Sequence, residues 1–441
     1  MSLRLALLLA SVTTAPASLA ADLLTIYREA QTSDAVFAAA RSSYLAGQER
    51  LPQGRSGLLP SLTASANTQI NDRDINFRIP TALGSTGNFN SNALTVTATQ
   101  PLFRWQNWVT YEQAKIQVAQ TDATLSQATQ DLIVRVAQAY FDVLLAENNV
   151  TLVGAQKTAF SQQFAQAKRN FEVGTATITD ANDAQARFDL STSQEITAQN
   201  DLEVRRRALQ QILGRLPPGL AKVSPRFTPS LPTPNRMEDW VEQASRTSPQ
   251  IRISQGNLDL AAQEVEKSRA GHLPTLDAVA QYSDAGSGSG INGGPGTDTT
   301  SRFIGLQLAL PIYQGGFVNS RVRETRALQE KSRQDLEYAQ RTVALNARSA
   351  FLGVANGVAQ IRALETALVS SQSSLDSSRL GLEVGVRTQV DVLNATQQLI
   401  STRRDFAQAI YNYIMNVLRL KAAAGTLADD DVVFVNQWLE K

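Results

Sequence analysis

The chain has no cysteine and a single histidine, His272, among its 441 residues. The first absence excludes disulfides, thiol nucleophiles, Cys-based metal sites and a lipidated N-terminal Cys as an anchor. The second leaves no nucleophile and base pair built on imidazole. No G-x-S-x-G, Gly-rich phosphate loop or metal-ligand cluster offers another route to chemistry. Neither an enzyme nor a cofactor is expected, and His272, just ahead of Leu273-Pro274, reads as a polar residue at the rim of a strand region. An excess of one charge is missing too. With 41 Lys and Arg against 40 Asp and Glu, the formal charge is +1, so nucleic acid is not an expected partner.

Long apolar runs are missing beyond the N-terminus. Residues 1–20 read as a secretory signal: Arg4, an apolar run from Leu5 through Val12, then Ser18-Leu19-Ala20 as a small-x-small cleavage site before Ala21. After it no run of roughly 18 apolar residues follows, so no transmembrane helix is expected. If the chain spans a membrane, it does so with strands. Proline is absent from Leu102 to Leu216 and from Ile312 to the C-terminus, where Ala, Gln, Leu, Arg and Ser dominate. The second of these stretches keeps a 3-4 apolar spacing through Val343, Ala347, Ala350, Val354, Ile361, Leu364, Leu368, Leu375 and Leu382. A helix from about Val318 to Glu383 would be roughly 100 Å long at 1.5 Å per residue, too long for a compact core.

Two short stretches interrupt these helices, Phe171-Glu172-Val173-Gly174-Thr175-Ala176-Thr177-Ile178-Thr179-Asp180 and Leu382-Glu383-Val384-Gly385-Val386-Arg387-Thr388-Gln389-Val390-Asp391. In each a Gly free to take positive φ ends one helix, and a Thr-x-x-Asp opens the next as a capping box. Each is the tip of a helical hairpin. Other features recur at the same offset of about 210 residues: Leu59-Pro60-Ser61-Leu62 with Leu273-Pro274-Thr275-Leu276, Gln100-Pro101-Leu102-Phe103 with Leu310-Pro311-Ile312-Tyr313, and Ala137 and Phe141 with Ala347 and Phe351. A duplicated architecture is expected, with a first repeat over 21–214, a Pro-rich connector over 215–236, a second repeat over 237–424 and a C-terminal segment over 425–441.

Each repeat also holds two stretches of period two, within 61–103 and 275–312. Leu62, Ala64, Ala66 and Ile70, then Leu94, Val96 and Ala98, form apolar rows in the first. Leu276, Ala278, Ala280 and Tyr282, then Ile304, Leu306, Leu308 and Leu310, do so in the second. Strands of about 9 to 11 residues suit a tilted bilayer crossing. The segments Asn71–Ser91 and Ser283–Ser301, rich in Gly, Ser, Asn and Asp, read as solvated loops. Pro60, Pro101, Pro274 and Pro311 mark the switches between helix and strand. Four strands cannot close a barrel, and an open edge is not tolerated in lipid, so copies must associate. A trimer with twelve strands and a dimer with eight both satisfy this count. A secreted structural or adhesive coiled coil without a pore is the competing reading, and it has no use for the four strands.

The stretch Val384 to Asp391, continued by Val392-Leu393-Asn394-Ala395-Thr396, then by Tyr411-Asn412-Tyr413 and Lys421-Ala422-Ala423-Ala424-Gly425-Thr426-Leu427, resembles the TolC family of outer-membrane channel-tunnels. The resemblance extends over the whole chain after the signal. It implies an α+β membrane protein forming a homotrimer: a twelve-stranded β-barrel in the lipid bilayer of the outer membrane, a long periplasmic helical barrel of coiled-coil hairpins, and a small mixed equatorial region. The implied function is a passive exit duct for tripartite efflux pumps or type I secretion. Its implied partners are a periplasmic adaptor protein and an inner-membrane transporter of the RND, ABC or MFS type.

The resemblance also assigns residues. Arg387, Thr179 and Asp180 match positions of a latch that holds the tunnel end closed, and Asp391 matches an aspartate ring at the pore constriction. Val173, Gly174, Thr175, Val384, Gly385 and Val386 match tips that dock the adaptor. Two departures stand out. Leu382 replaces a second gate tyrosine, and Asn394 replaces a second ring aspartate, which reduces a ring of six charges to three. A plainer reading stands beside these. The capping boxes alone call for a carboxylate at 180 and 391, and Arg387 with Asp391 form an i, i+4 pair that is weak in this order.

Overall fold

The structure is a computed structural model and describes residues 20–75, 78, 85–289 and 294–440. The expected signal, apart from its last residue, lies outside the described residues. No helix is long and apolar enough to cross a membrane, among the described residues. The chain divides into two compact units, and the long helices α4 (Trp105–Glu172) and α8 (Phe317–Glu383) contribute to both.

One unit comprises residues 42–125 and 250–340. Its centre is an antiparallel sheet in the order β1 (Ser61–Ile75), β2 (Ser85–Phe103), β3 (Thr275–Ser287), β4 (Thr297–Ala309). The register aligns the apolar rows read from the sequence. Leu62 lies opposite Ala98, Ala64 opposite Val96, Val96 opposite Tyr282, Ala280 opposite Ile304 and Leu276 opposite Leu308. Because side chains alternate across a strand, one face of the sheet is a continuous apolar surface. That face is uncovered in the single chain: Leu62 is 75% exposed, Ile70 88% and Ile304 85%.

The strands, at 15, 19, 13 and 13 residues, are longer than the 9 to 11 expected. The excess lies in segments assigned to loops from their polar composition. There the backbone ladder continues beyond the apolar rows, with Thr68 Oγ1 donating to Asn90 and Asn71 Nδ2 to Ser91. Pro101 is likewise not a boundary but a residue of β2, at a register shift between Pro101 and Phe103 where a missing N–H is tolerated. Just beyond β2, Arg104 grips Asp277 of β3 with two bonds, Nε at 2.8 Å and Nη2 at 2.6 Å. The carboxylate is nearly buried, and the guanidinium is 42% exposed. His272 lies in a 3-10 turn ahead of β3, with Nε2 3.3 Å from Asn319 Oδ1.

The other unit comprises residues up to 41 with 126–249 and 341–441. It contains α1 (Leu23–Ser33), most of α4, α5 (Ile178–Leu213), α6 (Met237–Thr247), the distal part of α8, α9 (Gln389–Ala423) and the short α10 (Asp429–Asn436). Of the remaining helices, α2 (Ala35–Gln48) is divided at residue 41, and α3 (Arg50–Ser56) and all but the first residue of α7 (Pro249–Arg269) belong to the sheet unit. The core gathers α1, α4, α5, α8, α9 and α10 around Tyr27, Leu132, Tyr140, Phe141, Val354, Tyr413 and Leu418. The Pro-rich connector is pinned to this core rather than loose. Leu220 bridges to Ala21 and Val223 to Leu439, and the buried Tyr140 hydroxyl donates to Ala221 O at 2.7 Å. A second apolar cluster of Leu375, Val392 and Leu399 lies nearer the hairpin tips, with Leu382 packed against it.

Candidate functional site at the helical tips

Both tips are built by the same backbone device. At the first, Gly174 adopts φ 77°, and Thr175 N (2.8 Å) and Ala176 N (3.2 Å) donate to Asn170 O. At the second, Gly385 also adopts φ 77°, and Val386 N (2.8 Å) and Arg387 N (3.0 Å) donate to Gly381 O. These bonds satisfy carbonyls that the helix end would leave orphaned, and the left-handed Gly makes the reversal possible. The next helix then opens with a full capping box. Asp180 N donates to Thr177 Oγ1, while Thr177 N and Oγ1 donate to Asp180 Oδ2; Thr388 and Asp391 repeat the pattern.

The capping bonds set the chemistry of Asp391. The Thr388 backbone N–H, then its hydroxyl, with Arg387 contributing less, hold the Asp391 carboxyl below the usual carboxylate range. It is therefore ionised at neutral pH. Arg387 Nη1 lies 3.8 Å from Asp391 Oδ1, with the guanidinium 59% exposed. Within the chain, and among the described residues, Arg387 makes no ion pair or hydrogen bond with Asp180 or Thr179; its recorded ionic partner is Asp391. Leu382 contributes packing alone, against the cluster of Leu375, Val392 and Leu399. Val173, Val384 and Val386 are exposed at 72%, 65% and 75%, which leaves both tips with an apolar surface.

Two residues that sequence reasoning did not single out matter to this site. Arg187, on α5, donates from Nη1 to Gln397 Oε1 at 2.5 Å and from Nη2 to Asn394 Oδ1 at 3.2 Å, both on α9. No local pattern signals this contact, because it depends on the phase of two helices about 200 residues apart. The other is Gly381. A Cβ placed there would lie 2.6 Å from Arg387 Cγ, so the arginine stem fits over a position that has no side chain. The repeat offset carried a signal here: Asn170 and Ala176 occupy the corresponding places in the first tip.

A four-stranded sheet with an exposed apolar face and long paired helical hairpins in one chain make up the α+β architecture expected of a channel-tunnel. The chain belongs to the outer membrane efflux protein family, whose model matches residues 26–215 and 240–426. It is 35% identical over 438 residues to outer membrane protein TolC of Escherichia coli, covering 96% of this chain and 86% of the relative. To the proteases secretion protein PrtF of Dickeya chrysanthemi it is 31% identical over 426 residues, covering 96% and 92%. The solved structure of the CmeC outer membrane channel of Campylobacter jejuni superimposes with a TM-score of 0.80 at 16% identity, covering 95% of this chain and 90% of that one. The protein is thus an exit duct of the outer membrane with a periplasmic extension. The adhesive coiled-coil reading is set aside.

Proposed function

We propose that three copies close the duct, their sheets joining into a twelve-stranded barrel and their hairpins into one tunnel. The observation that carries this is the sheet itself, with β1 and β4 at its edges and an apolar face that only lipid would cover. Strand edges left open in hydrocarbon cost several kcal/mol per unpaired group, about enough to forbid a lone chain in the bilayer. Twelve strands make a wider barrel than the eight a dimer would provide, with room for a channel between tunnel walls. On this reading residues 21–214 and 237–424 are two repeats of one unit, joined by the connector and closed by the segment over 425–441.

In such a trimer the tips converge. Asp391 supplies three carboxylates at the constriction with Asn394 a turn further on, and Arg387 reaches Thr179 and Asp180 of a neighbouring hairpin to latch the end. The exposed valines of the tips, with Gly174, Thr175 and Gly385 beside them, receive a periplasmic adaptor. Through it the duct serves an inner-membrane transporter of the RND, ABC or MFS type. PrtF, named for protease secretion, supports polypeptide cargo and the efflux family model supports small molecules. A duct of this kind selects little, and the transporter chooses. Native mass measurement of the detergent-solubilised protein should give a trimer that conducts in planar bilayers. A folded, non-conducting monomer would overturn the proposal.

A further inference from the structure

The two edge strands of the sheet carry matching rows on the apolar face. On β1 the row runs through Leu62, Ala64, Ala66, Thr68 and Ile70 and then reaches Asp72; on β4 it runs back through Leu308, Leu306 and Ile304 and then reaches Arg302. Neither edge strand has a register shift against its inner neighbour, so strict alternation keeps Asp72 and Arg302 on the face of the rows they end. Both are exposed, and each stands alone in the single chain. Among the described residues the Asp72 carboxylate has no hydrogen bond or ion pair, and the side-chain contact recorded for Arg302 is the Tyr282 ring, whose centroid lies 5.5 Å from Cζ. Asp284, diagonal to Arg302 on β3, accepts from Thr300 Oγ1 at 3.3 Å instead. Unpaired charges at the end of an apolar membrane face are unfavourable, and these two are of opposite sign.

All three pairings in the sheet are antiparallel, so β1 and β4 run in opposite directions, and β4 of one copy can continue the ladder onto β1 of the next. Only registers that differ by two residues keep the apolar faces aligned. The register that lays Ile304 opposite Ile70 also sets Leu306 opposite Thr68, Leu308 opposite Ala66 and Arg302 opposite Asp72. A slip of two residues in one sense puts Asp72 opposite Ile304. A slip in the other puts Asp74 opposite Asp298, and like charges directly opposite destabilise a strand pair. We infer that the seam between copies takes the first register and is closed, at the end remote from the helices, by an ion pair between Arg302 and Asp72 of the neighbouring copy. This rests on the reading that copies join edge to edge, and it names the register and the residues that fix it. Tyr282 holds the guanidinium at the seam through its ring face.

The chain has no cysteine, so introduced pairs report the seam directly on the full-length protein. Within one copy β1 and β4 are three strand spacings of about 4.8 Å apart, beyond disulfide reach, and any link between them joins two copies. Asp72→Cys with Arg302→Cys, oxidised in membranes, should give linked copies on a non-reducing denaturing gel about tenfold faster than Asp72→Cys with Ile304→Cys or with Thr300→Cys, which are diagonal in the inferred register. Faster linking of either diagonal pair overturns the register. Charge reversal tests the ion pair without cysteines. Asp72→Arg and Arg302→Asp each set like charges opposite one another at every seam and should shorten the half-life of the assembly in SDS at one fixed temperature by about tenfold, and the double reversal should return it to within about twofold of wild type. Where a single reversal does not assemble, assembly of the double reversal is the same result. Single reversals that decay like wild type, or a double reversal no better than either, overturn the ion pair and leave both charges to lipid headgroups. A ladder of linked copies that ends at two keeps the seam and removes the trimer. A wild-type monomer by native mass removes the edge-to-edge reading, and this inference with it.

Discussion

Two glycines with nearly the same backbone angle should respond very differently to one added methyl group. Gly385 has φ 77° and nothing within 4 Å of where a Cβ would sit. Gly425 has φ 69°, but its Cβ would lie 2.8 Å from Ser248 Cα, Ser248 N and Thr247 C. Those are backbone atoms and have no rotamer with which to give way. They are also held in place: Ser248 N donates to Ala244 O at 3.0 Å, and Thr247 Oγ1 donates to Ala424 O at 2.5 Å. An L-residue in the left-handed region costs roughly 1–2 kcal/mol, and overpacking a filled site costs roughly a further 1–3 kcal/mol. Gly385→Ala should therefore lose about 1–2 kcal/mol, and Gly425→Ala about 2–5 kcal/mol.

Asparagine separates the two causes, because it tolerates the left-handed region better than alanine but is larger. Gly385→Asn should recover part of the loss, and Gly425→Asn should recover none. Unfolding of a membrane assembly is commonly irreversible, so half-lives of the helical circular dichroism signal at one fixed temperature are the fair comparison. The expected order, from slowest decay to fastest, is wild type, Gly385→Asn, Gly385→Ala, Gly425→Ala. Equal decay of the two alanine variants, or rescue of position 425 by asparagine, would refute the reasoning from backbone contact.

Three further outcomes are expected. Arg387→Ser should raise single-channel conductance and admit large antibiotics into cells, while Lys421→Ser, about 50 Å further along at 1.5 Å per residue, should do neither; wild-type conductance in the first would remove the latch. Arg104→Met should destabilise by about 3–5 kcal/mol because it strands the buried Asp277 carboxylate, whereas Asp277→Asn leaves a guanidinium already 42% exposed to hydrate and should cost about 1–2 kcal/mol; the order of thermal inactivation of the two variants decides it. The Asp391 carboxyl is held below its unfolded value, so the stability it lends the tip is present above that unfolded value and is lost as pH falls through the lower folded one. Cation preference should accordingly persist as pH is lowered past the ordinary carboxylate range; its disappearance at an ordinary carboxylate pKa would contradict the capped geometry.

What could be read from the chain, and what could not, divides by the range of the interaction responsible. Capping boxes at 177–180 and 388–391 and the turns at Gly174 and Gly385 are made by residues within about a turn of one another, and the structure places them where the pattern put them. The apolar rows of the sheet were legible because burial alternates with period two, and the register then set those rows side by side. Strand ends were not legible. Thr, Asn and Ser serve a solvated ladder as well as they serve a loop, so composition assigned residues 85–91 and 297–301 to loops although they are strand. Arg187 was invisible for a different reason: its partners lie about 200 residues away, and nothing near it in the sequence marks the facing amides.

The duplication makes one long-range feature readable after all. Since the two tips share their hydrogen bonds and their φ angle, any difference in what they do must come from side chains. The clearest difference is a paired exchange. Asn170 and Ala176 in the first tip become Gly381 and Arg387 in the second. A small residue at the turn accompanies a larger one on the helix, and the arginine takes a glycine as its seat, with Cγ 2.6 Å from where a Cβ would stand. Arginine at 387 with asparagine at 381 would meet the same conflict as Gly381→Ala, enlarged by the longer side chain. The two positions are therefore coupled: the exposed guanidinium of the second tip goes with the absence of a side chain four residues before the turn glycine.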